Sequence, residues 1–119
     1  FDGESGALSN KTLWNRFARG DGLPDGMTTD AQGRVWIAHW GGSCVSCHDP
    51  ATAAELARVV LPVSQVTNCT FGGPDLRTLF ITSARVGLTP AQLAIEPLAG
   101  ALFAVSLDSP GVAAHVFGG

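Results

Sequence analysis

With 119 residues, 15 glycines and only 14% charged residues, the chain has the composition of a turn-rich globular protein. A net charge of −3 argues against a nucleic-acid surface, which needs a basic patch. No run of about 18 apolar residues is present, so no membrane-spanning helix is expected.

The chain starts at Phe1 without an initiator Met, and residues 1–6 read as the end of a strand running into a turn. The expectation is therefore the C-terminal part of a longer protein. Residues 12–18 (Thr12-Leu13-Trp14-Asn15-Arg16-Phe17-Ala18) alternate apolar and polar, which predicts one strand closing a unit that begins upstream. Residues 19–24 form a Gly/Asp/Pro connection. Four strands follow at about 26–31, 34–40, 43–49 and 55–63, punctuated by Gln32-Gly33, Gly41-Gly42 and Asp49-Pro50. The fourth segment could start as a helix, but its Val59-Val60-Leu61-Pro62 end favours a strand. A second unit has predicted strands at about 67–71, 77–83, 101–107 and 112–117. Its insertion at 85–99 carries Thr89 as N-cap and Pro90 at the first helical position, which predicts a short helix.

The two units are related. Asp25 falls on Asn68 at an offset of 43, and Val35-Trp36-Ile37 falls on Leu79-Phe80-Ile81 at an offset of 44. Repeats of roughly 40–45 residues built from several strands have the size of a propeller blade. Two blades alone leave open sheet edges and no closed ring. Such a chain is expected to fold poorly by itself, because repeats need neighbours to bury their faces.

Three cysteines are too few, and odd in number, for a disulfide framework. Cys44 and Cys47 lie three apart on a predicted strand, so they point to opposite faces and cannot bridge easily. They read as reduced structural residues, which mildly favours the cytoplasm. Cys44-Val45-Ser46-Cys47-His48 also fits the c-type haem attachment pattern, with Met27 as the only methionine. Its place inside a repeat-defined strand argues against that reading, and no haem is expected. A zinc site from the same residues would need a fourth ligand and a knuckle-like turn, and neither is evident.

Pro-Asp-Gly-Met-Thr-x-Asp-Ala-x-Gly-x-Val-Trp-x-Ala at 24–38 resembles the senescence-marker-protein/regucalcin/gluconolactonase family. So do Thr-Asn-Cys-Thr-Phe-Gly-Gly-Pro-Asp-Leu-x-Thr-Leu-Phe-Ile-Thr-Ser-Ala at 67–84 and the ending Glu96-Pro97-Leu98-Ala99-Gly100-Ala101-Leu102-Phe103-Ala104-Val105. The resemblance covers essentially the whole chain but less than half of a typical member. It implies an all-β, six-bladed β-propeller of which this chain is about the last two blades. Residues 1–23 would end a preceding blade, 24–65 would form one blade and 66–119 the last. It also implies metal-dependent hydrolysis of a sugar lactone, with one divalent cation (Ca2+, Zn2+, Mn2+ or Mg2+). The alternative is a non-catalytic, metal-binding, regucalcin-like propeller. Neither nucleic acid nor membrane is an expected partner.

In that family the Asp of Pro-Asp-Gly-Met coordinates the metal and is proposed to help activate the attacking water. The resemblance carries this role onto Asp25. The family's other ligands, a Glu and an Asn, would lie upstream of Phe1, as would most substrate contacts. The chemistry is coherent: a divalent cation polarises a carbonyl and makes water nucleophilic near neutral pH, and a hard cation prefers oxygen ligands. Read locally, Asp25-Gly26 is also a strong turn pair.

Asn68, the repeat partner of Asp25, is a candidate pocket residue or a turn and capping residue. His39 is a candidate pocket-rim residue or an ordinary packing residue. Asp30 and Asp75 are read as turn organisers. Trp36, Phe71, Phe80, Leu102 and Phe103 are assigned to packing between blades, and Arg34, Arg58 and Arg77 to solvent.

Overall fold

The computed structural model describes residues 1–116 and 118. Strands β1 (Leu23–Thr29), β2 (Val35–Trp40), β3 (Cys44–His48) and β4 (Glu55–Val60) form one antiparallel sheet in that order. Strands β5 (Val66–Gly72), β6 (Thr78–Ser83) and β7 (Leu102–Ser106) form a second antiparallel sheet. Each strand pairs with its sequence neighbour, as short connections favour. The β-branched and aromatic runs Val35-Trp36-Ile37 and Leu79-Phe80-Ile81 lie on β2 and β6, where a pleated surface suits them.

Helix α1 (Pro90–Ile95) forms where Thr89 and Pro90 predict it. Thr89 Oγ1 accepts the Gln92 N–H at 3.3 Å, and Gln92 Oε1 accepts the Thr89 N–H at 2.9 Å. This reciprocal cap satisfies two backbone donors that a helix start leaves open.

Two predicted strands are absent. Residues 12–18 pair with no strand; they cross the outer face of the first sheet as an irregular strap. Their apolar residues find a face to cover but no backbone ladder to join, so the alternation is real and the strand is not. The predicted strand at 112–117 does not form over 112–116, and Phe117 lies outside the described residues. Gly111 instead makes an isolated bridge to Asp30, and the Ala31 N–H donates to the Pro110 carbonyl at 2.9 Å. The tail therefore fastens onto the first sheet. Strand β4 stops at Val60, short of the predicted 63, because Pro62 cannot donate to a ladder. Leu61 and Val63 turn inward and are buried.

The core lies between the sheets and follows the two-residue period of strands. Trp36 and Ala38 of β2, Val45 and Cys47 of β3, Cys69 and Phe71 of β5, and Leu79 and Ile81 of β6 meet there. Trp36 and Phe71 contact edge-to-face at 5.9 Å and join the two layers. Phe103 packs against this cluster, but Leu102 is 64% exposed and does not, contrary to its assignment as a packing residue. The opposite face of the first sheet is covered too. There Ile37, His39, Cys44, Ser46 and His48 are buried, with Trp14 and Phe17 of the strap against the histidines.

Candidate functional site

Strand β1 pairs Pro24 with His39 and next pairs Met27 with Ile37, so Asp25 and Gly26 sit in a β-bulge. A bulge interrupts the ladder and re-aims a side chain, and bulges gather beside functional sites. Asp25 is exposed there. Its carboxylate takes part in none of the ion pairs among the described residues. Strand β5 carries its own bulge between Val66 and Asn68. The repeat seen in the sequence is thus a repeat of backbone irregularity at the same end of two neighbouring strands.

Asn68 is exposed and lies directly against Gly26. A Cβ on Gly26 would run into the Asn68 side chain, so glycine here answers a close approach rather than a turn. Asn68 Oδ1 accepts the Cys69 N–H at 2.8 Å, which fixes the amide's orientation and leaves one lone pair. The bulge that holds Asp25 and Gly26 and the strand that bears Asn68 therefore meet where the two sheets adjoin. The oxygen donors of Asp25 and Asn68 suit a hard cation in kind but not in number. Among the described residues, no group of three or more His, Cys, Asp or Glu is placed to hold a metal. A hollow of about 400 Å³, lined by residues that include Trp14, Phe17, Pro24, Met27 and Ile37, flanks β1 on its strap side.

His39 does not stand on an open rim. It is fully buried and both ring nitrogens are engaged. Nδ1 lies 2.9 Å from the Asp21 carbonyl oxygen, and Nε2 lies 2.6 Å from Ser46 Oγ. The same hydroxyl is 2.7 Å from His48 Nε2, whose Nδ1 is 3.0 Å from the Ala53 carbonyl oxygen. Burial pushes the His39 imidazole below its ordinary value; the Asp21 carbonyl opposes that shift, and the Arg58 charge adds to it. Sequence reasoning missed this chain. Its signal was the two-residue spacing of Ser46 and His48 on a strand antiparallel to the one bearing His39.

Asp30 organises the β1–β2 turn as expected, through Oδ1 bonds from the Gln32 and Arg34 N–H groups, both 3.0 Å. It also does more. Its Oδ2 accepts Arg34 Nε at 2.7 Å and the Trp36 indole N–H at 2.8 Å, tying a buried carboxylate into the core. Burial alone would raise this carboxyl. The bonds from Trp36 and Arg34 outweigh burial and hold it below the usual carboxylate range. Arg34 and Arg58 are correspondingly half-buried and paired rather than solvated, Arg58 forming a bidentate contact with Glu55 at 2.7 Å for each bond. Arg77 remains largely exposed.

Cys44, Cys47 and Cys69 are free and buried. Burial pushes all three thiols up, Cys69 to about 12. Cys44 and Cys47 face opposite sides of β3, in line with the reading of separate structural thiols. No helix is long and apolar enough to cross a membrane among the described residues.

The family profile described as the SMP-30/Gluconolactonase/LRE-like region matches residues 1–85. The chain is 42% identical over its full length to the Bacillus subtilis (strain 168) protein named "Putative sugar lactone lactonase YvrE", covering 41% of that protein. It is 35% identical to Homo sapiens regucalcin over all of this chain and 40% of that one. Among solved structures, a luciferin-regenerating enzyme superposes with a TM-score of 0.82 at 30% identity, over 95% of this chain and 38% of that one. A calcium-binding regucalcin from Agrobacterium tumefaciens str. C58 superposes with a TM-score of 0.72 at 34% identity, over 76% of this chain and 30% of that one. The chain thus spans about two fifths of the length of the curated relatives it matches.

Proposed function

The chain belongs to the SMP-30/gluconolactonase/LRE-like family, and from that premise we propose that it is the C-terminal portion of a metal-dependent sugar lactonase. In this reading residues 24–65 and 66–119 are the last two blades of a six-bladed propeller, and residues 1–23 end the blade before them. The observation that carries the reading is the exposed Asp25 carboxylate, outside every ion pair among the described residues, in a bulge within Pro24-Asp25-Gly26-Met27 whose Gly26 lies against Asn68.

Asp25 is the metal ligand of this chain, and its second oxygen is available to accept a proton from the attacking water. Asn68 orients the substrate or completes the polar edge of the pocket, with its amide fixed by Cys69. His39 supports the site indirectly, through the turn that leads into β1. A divalent cation held there supplies carbonyl polarisation and a more acidic water. The remaining oxygen ligands come from the other blades. A cytoplasmic location, which the free cysteines favour, belongs to the same proposal.

A second reading is a calcium-binding propeller without catalysis, favoured by the similarity to a regucalcin described as a calcium-binding protein. Acid release from aldonolactones by the full-length protein, with and without a chelator, separates the two. Chelator-sensitive hydrolysis supports the lactonase. Metal binding with no hydrolysis across a panel of lactones supports the binding protein.

A further inference from the structure

The His39–Ser46–His48 chain has a proton count that two neutral imidazoles cannot satisfy. Each Nδ1 faces a backbone carbonyl, that of Asp21 or Ala53, so each Nδ1 must carry a hydrogen and donate. In a neutral ring the matching Nε2 is then an acceptor. Both Nε2 atoms lie within 2.7 Å of Ser46 Oγ, which has one hydrogen to give. One of the two short contacts would then be lone pair against lone pair, in a site closed to water. Turning either ring to its other tautomer only moves that repulsion to a carbonyl.

We propose that this buried chain binds one proton beyond two neutral imidazoles, held across the Ser46 hydroxyl between the two Nε2 atoms. The imidazolium donates to Ser46 Oγ, and the Ser46 hydroxyl donates onward to the neutral imidazole. Every polar atom in the chain is then satisfied.

Both rings meet the same hydroxyl, so the extra proton is held by the pair through Ser46 Oγ. Burial first, and then the Arg58 and His48 charges, disfavour a cation at His39, while the Asp21 carbonyl and carboxylate favour it. Glu55 is the register partner of His48 across β3–β4, and its own carboxyl is held low by the Arg58 hydrogen bond and also by the nearby histidines. The rings of Phe17 and Trp14 stand edge-to-face to His48 at centroid distances of 5.5 and 5.9 Å. The other charged or titratable groups facing the chain are Asp21, whose carboxylate is 3.6 Å from Arg58, and Cys44, which receives an Arg58 N–H at 3.3 Å.

The consequence reaches toward Asp25. The Asp21 carbonyl that His39 holds belongs to the turn Arg19–Asp21, immediately before β1. A Cβ on Gly42 would collide with that same carbonyl, so the turn is wedged tightly against the β2–β3 hairpin. His39, Ser46 and His48 are therefore positioning residues for the start of β1.

The test is ¹⁵N spectroscopy of histidine rings in the full-length, ¹⁵N-histidine-labelled protein at about pH 7, where an ordinary exposed imidazole is mostly neutral. Exposed His115 serves as the internal control, and His39→Gln and His48→Gln assign the signals. The expected result is one buried ring with both nitrogens protonated and the other neutral with its proton on Nδ1. In Ser46→Ala the extra proton is expected to leave. Two neutral buried rings in the wild-type protein would overturn the proposal, as would an imidazolium unchanged in Ser46→Ala. If Ser46→Ala does not fold, the wild-type spectrum decides alone.

Discussion

Replacing Asp30 with alanine is expected to destabilise the protein by about 2–5 kcal/mol. The magnitude follows from what the carboxylate holds. The Trp36 indole N–H, in a residue 3% exposed, loses its acceptor and has no water to replace it, at about 1–3 kcal/mol. The Arg34 guanidinium is 28% exposed and can turn to solvent, so its ion pair adds about 1 kcal/mol at most. The Gln32 and Arg34 N–H groups are part-buried, and losing both turn bonds adds roughly 1 kcal/mol after partial rehydration. This is a large share of the roughly 5–15 kcal/mol that stabilises a typical domain. Urea unfolding of the full-length protein, followed by tryptophan fluorescence, measures it. A double-mutant cycle with Trp36→Phe isolates the buried pair and should return a coupling of about 1–2 kcal/mol. A loss below about 1 kcal/mol for Asp30→Ala, or no coupling, would refute the reasoning.

Asp30 also sets a pH dependence. Its folded-state value is depressed, so its contribution is present above the unfolded value of about 3.9 and is lost as pH falls through the folded value. An acid titration of stability should therefore show a steeper decline for the wild type than for Asp30→Ala, and parallel curves would contradict this. The three thiols should resist a thiol reagent in the folded state and react once the chain unfolds, because all are buried and none is lowered toward thiolate; rapid labelling of native protein would overturn it. Gly26→Ala should push the Asn68 side chain away from the β1 bulge and weaken metal binding, measured calorimetrically, and unchanged affinity would argue against a shared site. Expressed alone, the 119-residue chain should self-associate, since strand residues such as Leu23, Met27, Val60 and Leu102 are exposed; a monomeric, cooperative melt would contradict this.

Much of this architecture is legible in the sequence where a local rule agrees with the tertiary result. The Asp25-to-Asn68 offset becomes two bulged strands side by side, and Thr89-Pro90 becomes a capped helix. Legibility fails where the outcome depends on a partner. Residues 12–18 have strand-like alternation, but only the position of the next strand decides whether a ladder forms, and Phe17 and Trp14 end against imidazoles instead. Arg34 and Arg58 look solvated in sequence because pairing with Asp30 and Glu55 appears only once strands and turns are set. The His39–Ser46–His48 chain draws on two strands and two loop carbonyls, so no single motif announces it. Asp25 is the converse. Its local context reads as a turn, and its proposed role rests on the family motif together with the bulge that exposes it.

The most direct test of the central claim is hydrolysis of a sugar lactone by the full-length protein, comparing wild type with Asp25→Ala in the presence of metal and of chelator. Asp25 is exposed and outside every ion pair among the described residues, so Asp25→Ala should leave stability within about 0.5 kcal/mol of wild type. The account predicts activity that the chelator removes and that Asp25→Ala lacks while remaining folded. Full activity in folded Asp25→Ala, or activity indifferent to the chelator, would contradict it.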